Sequence, residues 1–272
     1  AEPVEEPTED VEAAERGQIV HAVLQEFHAG HAGRAVADLE PVEAACSMRA
    51  ALDSVMQDRL MSTSKRVRGF WEAEKGALRR LLDRYLRWER AKSDSRWKPV
   101  HFEVSFGQVL EKSRDRLDRP EPFALNTAVG RLRFGGKIDR IDCLEEESAA
   151  RVVDYKTGQP PTYKSMLRGE SVQLPLYVLA VENHVQLPWP CVEARFVRVG
   201  HKPYRDVMQR HKEEEWAQCM SQSLERVAEV VQAIRQGRFP PTPAQDRCKY
   251  CPVQLACRFE QGRIERKQRA SS

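Results

Sequence analysis

Gly136-Lys-Ile-Asp139-Arg-Ile-Asp142, followed one short apolar run later by Val153-Asp154-Tyr155-Lys156-Thr157-Gly158, decides how this chain is read. Both segments have the look of strands, and they bring two carboxylates and one ammonium to neighbouring strand ends. Residues i and i+2 of an extended strand face the same side, so Asp154 and Lys156 enter one site while Tyr155 points away. The Tyr155 backbone carbonyl is still able to face that site. Mg²⁺ takes hard oxygen ligands and keeps several waters, so Asp139 and Asp154 beside an open face suffice to hold it. A metal there would polarise a phosphoryl oxygen and activate a water, with Lys156 positioning the water and offsetting developing negative charge. Arg140 and Asp142 read as a plain surface ion pair.

Outward from this centre, apolar residues recur at helical spacing as far as residue 93, and residues 69–88 place Leu78, Leu81, Leu82, Tyr85 and Leu86 on one face. That helix is expected to pack over the sheet. From residue 98 the period changes to two, in Val100/Phe102/Val104/Phe106, then Phe123-Ala-Leu-Asn, then Leu132/Phe134. Gly135-Gly136 lets the strand bend or another backbone approach just before Asp139. The pattern further predicts a helix over 171–184, a strand over 191–199 and an amphipathic helix over 213–236, closed by Phe239-Pro-Pro-Thr-Pro. His21 falls in an amphipathic helix four residues after Gly17, and Gln173 and Tyr177 share a helical face by their i, i+4 spacing.

Near the carboxyl end stands Cys248-Lys-Tyr-Cys251-Pro-Val-Gln-Leu-Ala-Cys257. Three thiols this close, with no signal peptide ahead of them, indicate a metal site before a disulfide. Zinc and iron–sulfur clusters both want four tetrahedral ligands, and this run offers three. Cys46 is a possible fourth. Cys143, Cys191 and Cys219 read as ordinary buried or half-buried thiols.

Taken together, Gly17-Gln-Ile-Val-His21, Glu103, Gly136-Lys-Ile-Asp139, Asp154-Tyr-Lys156 and Gln173-Leu-Pro-Leu-Tyr177 resemble the ordered motifs of RecB/AddB-type exonucleases of the PD-(D/E)xK superfamily, over about residues 12–260. The resemblance implies a restriction-endonuclease-like α/β domain: a small mixed sheet flanked by helices, with a helical amino-terminal part and a Cys-bearing carboxyl end. It implies that His21, Asp139 and Asp154, with the Tyr155 carbonyl, bind Mg²⁺ or Mn²⁺, that Lys156 is catalytic, that Gln173 and Tyr177 line the site, and that Glu103 is a supporting acid. The AddB-type pattern also implies that Cys248, Cys251 and Cys257 join a Cys upstream of the His helix around a 4Fe–4S cluster. No Cys precedes His21 and no initiator Met opens the chain, so it reads as an excised fragment, with the cluster absent or incomplete. The implied substrate is DNA, and the implied partner a helicase domain or subunit in double-strand-break repair; the sequence has no Gly-x-x-x-x-Gly-Lys-Ser/Thr motor motif of its own. A stand-alone nuclease of CRISPR adaptation shares these motifs. A non-catalytic DNA-binding or assembly module stapled by a metal cluster is the alternative from another class.

Composition agrees. With 272 residues, 41% hydrophobic, the chain can bury a substantial core. Seven cysteines, an odd number, suit a reducing compartment and hence the cytoplasm, and no apolar run approaches the ~18 residues that would span a bilayer. The first fifteen residues carry seven acids and no Lys or Arg, so removing them from a net charge of +3 leaves about +10 for the rest. That balance suits a polyanionic partner. The expected organisation is an acidic linker over 1–11, a nuclease domain over 12–240, and a Cys-cluster segment with a basic tail over 241–272.

Overall fold

The computed structural model describes residues 13–61, 65–108 and 115–239. The acidic linker, Cys248, Cys251, Cys257 and the basic tail lie outside the described residues. The chain divides into two compact units, residues 1–227 and 228–272; the architecture below belongs to the first, apart from the end of the last helix.

The helical amino-terminal spacing resolves into three helices, α1 (Ala13–Ala29), α2 (Pro41–Met61) and α3 (Lys65–Lys92). A five-stranded mixed sheet follows, ordered β1 (Lys98–Phe106), β4 (Gly136–Leu144), β5 (Ala149–Lys156), β6 (Cys191–Arg198) and β7 (Tyr204–Gln209). Between β1 and β4 the chain forms a separate two-stranded ribbon, β2 (Phe123–Thr127) and β3 (Gly130–Phe134). Among the described residues all strand pairings are antiparallel except β5 with β6. A parallel pair needs a crossover. Helices α4 (Tyr163–Leu167) and α5 (Gln173–Ala180) supply it, and α6 (Glu213–Arg235) ends the described chain.

Helices cover both faces. On one side Val20, Leu24 and Phe27 of α1, Met48 and Leu52 of α2, and Leu78, Leu82 and Tyr85 of α3 pack on Val153, Tyr155 and Val197 of the sheet. This is the expected docking of the third helix. On the other side Leu174 and Val178 of α5 and Trp216 and Cys219 of α6 close over Val104, Ile138, Val152 and Phe196. Cys143, Cys191 and Cys219 are buried as expected, and burial pushes their thiols up to about 12, 12 and 11. They are inert protonated side chains at neutral pH. Cys46 is exposed on α2. No helix among the described residues is long and apolar enough to cross a membrane.

Three findings depart from the sequence pattern. The helix expected over 171–184 is α5 followed by a π-helical turn, Val181–Val185, that ends in left-handed Gln186 (φ 61°). Strand β7 has no clear alternation, since Met208 alone of its side chains is buried, and an edge strand held by one neighbour needs none. Arg140 and Asp142 are not a surface pair: they are 2% and 0% exposed, between the sheet and helices α1 and α3. Arg140 donates to both Asp142 oxygens at 2.6 and 2.8 Å, to Glu89 at 3.1 Å and to the Tyr155 hydroxyl at 2.7 Å, while Arg151 donates to Asp142 at 2.7 Å. Burial alone would raise the Asp142 pKa, but the two guanidinium groups overcome it and hold the carboxyl well below its usual range. A short Arg-x-Asp looks like a surface pair because sequence does not reveal that Glu89, Tyr155 and Arg151 arrive to satisfy it.

Candidate active site

The site forms where regular alternation breaks. The β1–β4 register pairs Phe102 with Arg140 and Val104 with Ile138, so Glu103 and Asp139 lie opposite each other between them. Glu103 has φ 53°, a left-handed conformation rare for a residue with a side chain and one that concentrates at functional positions. Alternation would put residues 102 and 104 on one face. Instead Phe102 lies parallel to the His28 ring of α1, centroids 6.2 Å apart, while Val104 enters the core under α5. Strand β4 switches sides at the same level, with Ile138 under α5 and Arg140 under α1 and α3. The double switch turns both acids toward α1.

Strands β4 and β5 part at the same level. Their pairing ends at Arg140 and Val153, and beyond it the Tyr155 amide donates to the Asp139 carboxylate at 2.7 Å. A side-chain oxygen takes the place of a strand carbonyl, and Asp139 thereby stays beside a cleft lined by α1, Glu103 and Lys137. His21 reaches it from α1, its Nδ1 3.2 Å from Asp139 Oδ1. Although burial disfavours the imidazolium, the hydrogen bond to Asp139 and the charges of Asp139, Asp154 and Glu103 raise the His21 pKa. Ligand atoms of His21, Glu103 and Asp139 all lie within 4.8 Å of one another, a spacing that a single cation spans. Helix α1 passes the end of β5 at Gly17, where a Cβ would sit 3.5 Å from Thr157 Oγ1, an ordinary contact.

Asp154 and Lys156 share a face of β5, and Tyr155 is buried on the other, as the two-residue period requires. Lys156 Nζ lies 2.5 Å from Asp154 Oδ2, yet that buried oxygen has no hydrogen bond of acceptable angle. Gln173, the first residue of α5, donates to Asp154 Oδ1 at 2.6 Å and to the Tyr177 hydroxyl at 3.1 Å, and accepts from Lys156 at 3.0 Å. One amide therefore locks carboxylate, ammonium and phenol together. Burial first, then the neighbouring Asp139 charge, push Asp154 up to about 7 despite Lys156. Two acids this close cannot both ionise readily without a cation between them. The order of sheet and helices thus brings His21, Glu103, Asp139, Asp154, Lys156, Gln173 and Tyr177 to one place.

Residues 2–258 match the PD-(D/E)XK nuclease superfamily. The chain belongs to that superfamily. The fold of this PD-(D/E)XK chain agrees, with its mixed sheet flanked by helices. It is 26% identical over 184 residues to the Gene 69 protein of Mycobacterium phage L5, covering 65% of this chain and 58% of that one. It is 30% identical over 181 residues to an ATP-dependent helicase/deoxyribonuclease subunit of Symbiobacterium thermophilum, covering 63% and 15%. The helicase/deoxyribonuclease subunit of the same name from Lacticaseibacillus casei is 26% identical over 186 residues, covering 65% and 15%. The match thus spans little more than half of the phage protein and about one seventh of the two helicase/deoxyribonuclease proteins.

Two kinds of residue in the PD-(D/E)XK site escaped sequence reasoning. Gln18 and Gln25 line the cleft beside His21. Their spacing from it, three and four residues on a helix, is a signal that could have found them. Lys137 also lines the cleft and pairs with Glu103. Nothing in the sequence says which acid it meets, because the Glu103 kink decides that.

Proposed function

We propose that this PD-(D/E)XK chain is a metal-dependent deoxyribonuclease, an exonuclease that serves as the nuclease module of a helicase–nuclease in double-strand-break repair and recombination. The convergence of Asp139, Asp154 and Lys156 on one cleft, with His21 above them, carries the reading. The donor set fits a hard divalent cation: the buried Asp154 Oδ2 lacks an aligned hydrogen bond, and carboxylates with one imidazole suit Mg²⁺ or Mn²⁺. His21, Asp139 and Glu103, already at the spacing of one cation, would hold the ion together with Asp154 and the Tyr155 carbonyl, and the ion would supply polarisation of a phosphoryl oxygen and a lowered pKa for an attacking water. Gln173 accepts one Lys156 hydrogen and Asp154 lies against the ammonium, leaving a remaining donor for a water or a phosphate oxygen. Glu103, charge-paired with Lys137, supports the carboxylate side, and Tyr177 fixes the Gln173 amide.

The helicase setting is supported by the names of the bacterial relatives, the DNA substrate by the positive balance of residues beyond the first fifteen, and the cytoplasm by the odd number of cysteines. We extend the same reading to Cys248, Cys251 and Cys257 as three ligands of a 4Fe–4S cluster. The phage relative favours a second reading, a stand-alone nuclease, because one match covers similar shares of both chains.

End-labelled single- and double-stranded DNA with Mg²⁺ should be shortened from its ends, while EDTA abolishes the reaction. Intact DNA in both Mg²⁺ and Mn²⁺ would sink the proposal. The same assay has a pH signature. Metal binding competes with the proton on Asp154, so the half-saturating Mg²⁺ concentration should rise about tenfold per unit as pH falls below about 7 and level off above it. The linked stability runs the other way. A carboxyl pKa raised by folding adds stability below its unfolded value near 4 that is lost as pH rises through about 7, so metal-free protein should become less stable across that range.

His21 is testable on its own. His21→Ala should raise half-saturating Mg²⁺ about 10- to 100-fold, the scale of losing a group that tunes a metal site. A metal titration indistinguishable from the parent would return His21 to the α1 surface as an ordinary residue.

A further inference from the structure

The β2–β3 ribbon stands apart from the main sheet and leads straight into Asp139 through Gly135 and Gly136. A two-stranded ribbon is barely stable alone, and this one is held by its inner side, where Phe123 and Leu132 are buried and the Phe123 and Phe134 rings sit 6.1 Å apart. Its other side is unexplained by packing. Along 130–138 the even residues Leu132, Phe134 and Ile138 turn to the core, while Arg131, Arg133, Gly135 and Lys137 are exposed. Across the ribbon Arg131 faces Asn126 and Arg133 faces Ala124, so no carboxylate stands opposite either guanidinium. Neither arginine has an ion pair among the described residues. Apart from Gly135, every odd position from 131 to 137 therefore carries a cation, and the row ends at the cleft, where Lys137 meets Glu103. Gly135 interrupts the row because a Cβ there would press on the Gly107 and Phe106 carbonyl oxygens at 3.3 and 3.4 Å, where the backbones approach closely.

We propose that the outer face of the β2–β3 ribbon is a phosphate-binding track that guides one DNA strand into the cleft, with Arg131 and Arg133 as its contacts. The proposal rests on the DNA-substrate reading above. Strand geometry sets the two side chains ~7 Å apart on one face, and planar guanidinium groups recognise phosphate oxygens bidentately. Such contacts carry no sequence preference, as an enzyme that digests DNA of any sequence requires.

Binding of a fluorescein-labelled single-stranded oligonucleotide to the 272-residue chain, followed by anisotropy in EDTA, tests this without cleavage. R131A/R133A should raise Kd about tenfold near 0.1 M salt and reduce the slope of log K against log salt by about 1.4, since each single-strand phosphate contact contributes about 0.7. R131K/R133K should keep most of the slope. R79A/R87A, which removes the same charge from exposed positions of α3, should change the slope by less than half as much. Equal losses from both alanine pairs, or an R131A/R133A slope equal to the parent's, would overturn the track. A chain that binds through these arginines yet never cuts DNA would instead overturn the nuclease proposal and leave the track standing.

Discussion

Lys156→Ala should lower Mg²⁺-dependent DNA cleavage by about 10²- to 10³-fold, the usual cost of removing one preorganised charge from a reacting centre. Asp154→Ala should abolish it to background. Lys156 has little structural duty: it is partly exposed, its polar partners Asp154 and Gln173 both belong to the site, and its further contact is the Phe196 ring, 5.3 Å from the ammonium. Folding should therefore survive, and circular dichroism with thermal melting will show whether it does. Because Gln173 bridges Lys156, Asp154 and Tyr177, Gln173→Ala should give a smaller loss of the same kind. Near-parental cleavage by either Lys156→Ala or Asp154→Ala would mean that the catalytic assignment is wrong.

The largest stability effect should come from the other face of the same two strands. Arg140→Met would leave Asp142 buried with Arg151 as its remaining cation, and strip Glu89 and the Tyr155 hydroxyl of a donor. Removing one member of a buried ionic cluster costs about 3–5 kcal/mol, because the remaining charges stay desolvated. A fall in unfolding midpoint of roughly 10 °C corresponds for a domain of this size. The damage should also reach the cleft. Arg140 follows Asp139 directly, and Tyr155 holds Asp139 through its amide and Arg140 through its hydroxyl. Half-saturating Mg²⁺ should therefore rise along with the loss of stability. A denaturant midpoint within error of the parent would show that the cluster is not what holds the strand ends.

Much of this molecule is legible in its sequence. The three-to-four spacing of Leu78, Leu82 and Leu86, the alternation through Val104 and Phe106, and the Gly135-Gly136 break each correspond to an observed element, since burial imposes the same period on sequence and structure alike. Asp154 and Lys156 on one face with Tyr155 on the other follows from the pleat alone. Where periodicity fails, the sequence goes quiet. The kink at Glu103 and Asp139 reverses the inward face of two strands, and no alternation rule anticipates a residue with φ 53°.

The division between the two sources of information is physical. Local chemistry and periodicity determined the helices, the strands and the shared face of Asp154 and Lys156, because each depends on residues near one another in the chain, and the ordered motifs carried the resemblance that implied the fold class and the roles of the acids, the lysine and the helix-borne histidine. Tertiary structure decided everything that needs groups distant in sequence. It sent Arg140 and Asp142 into the interior, where residues from α3 and β5 satisfy them. It parted β4 from β5 so that the Tyr155 amide binds a carboxylate instead of a strand carbonyl. It also set His21 beside Asp139, 118 positions along the chain. Such pairings arise when desolvation makes an unpartnered charge too costly, and the partner that answers that cost is chosen by packing rather than by sequence order.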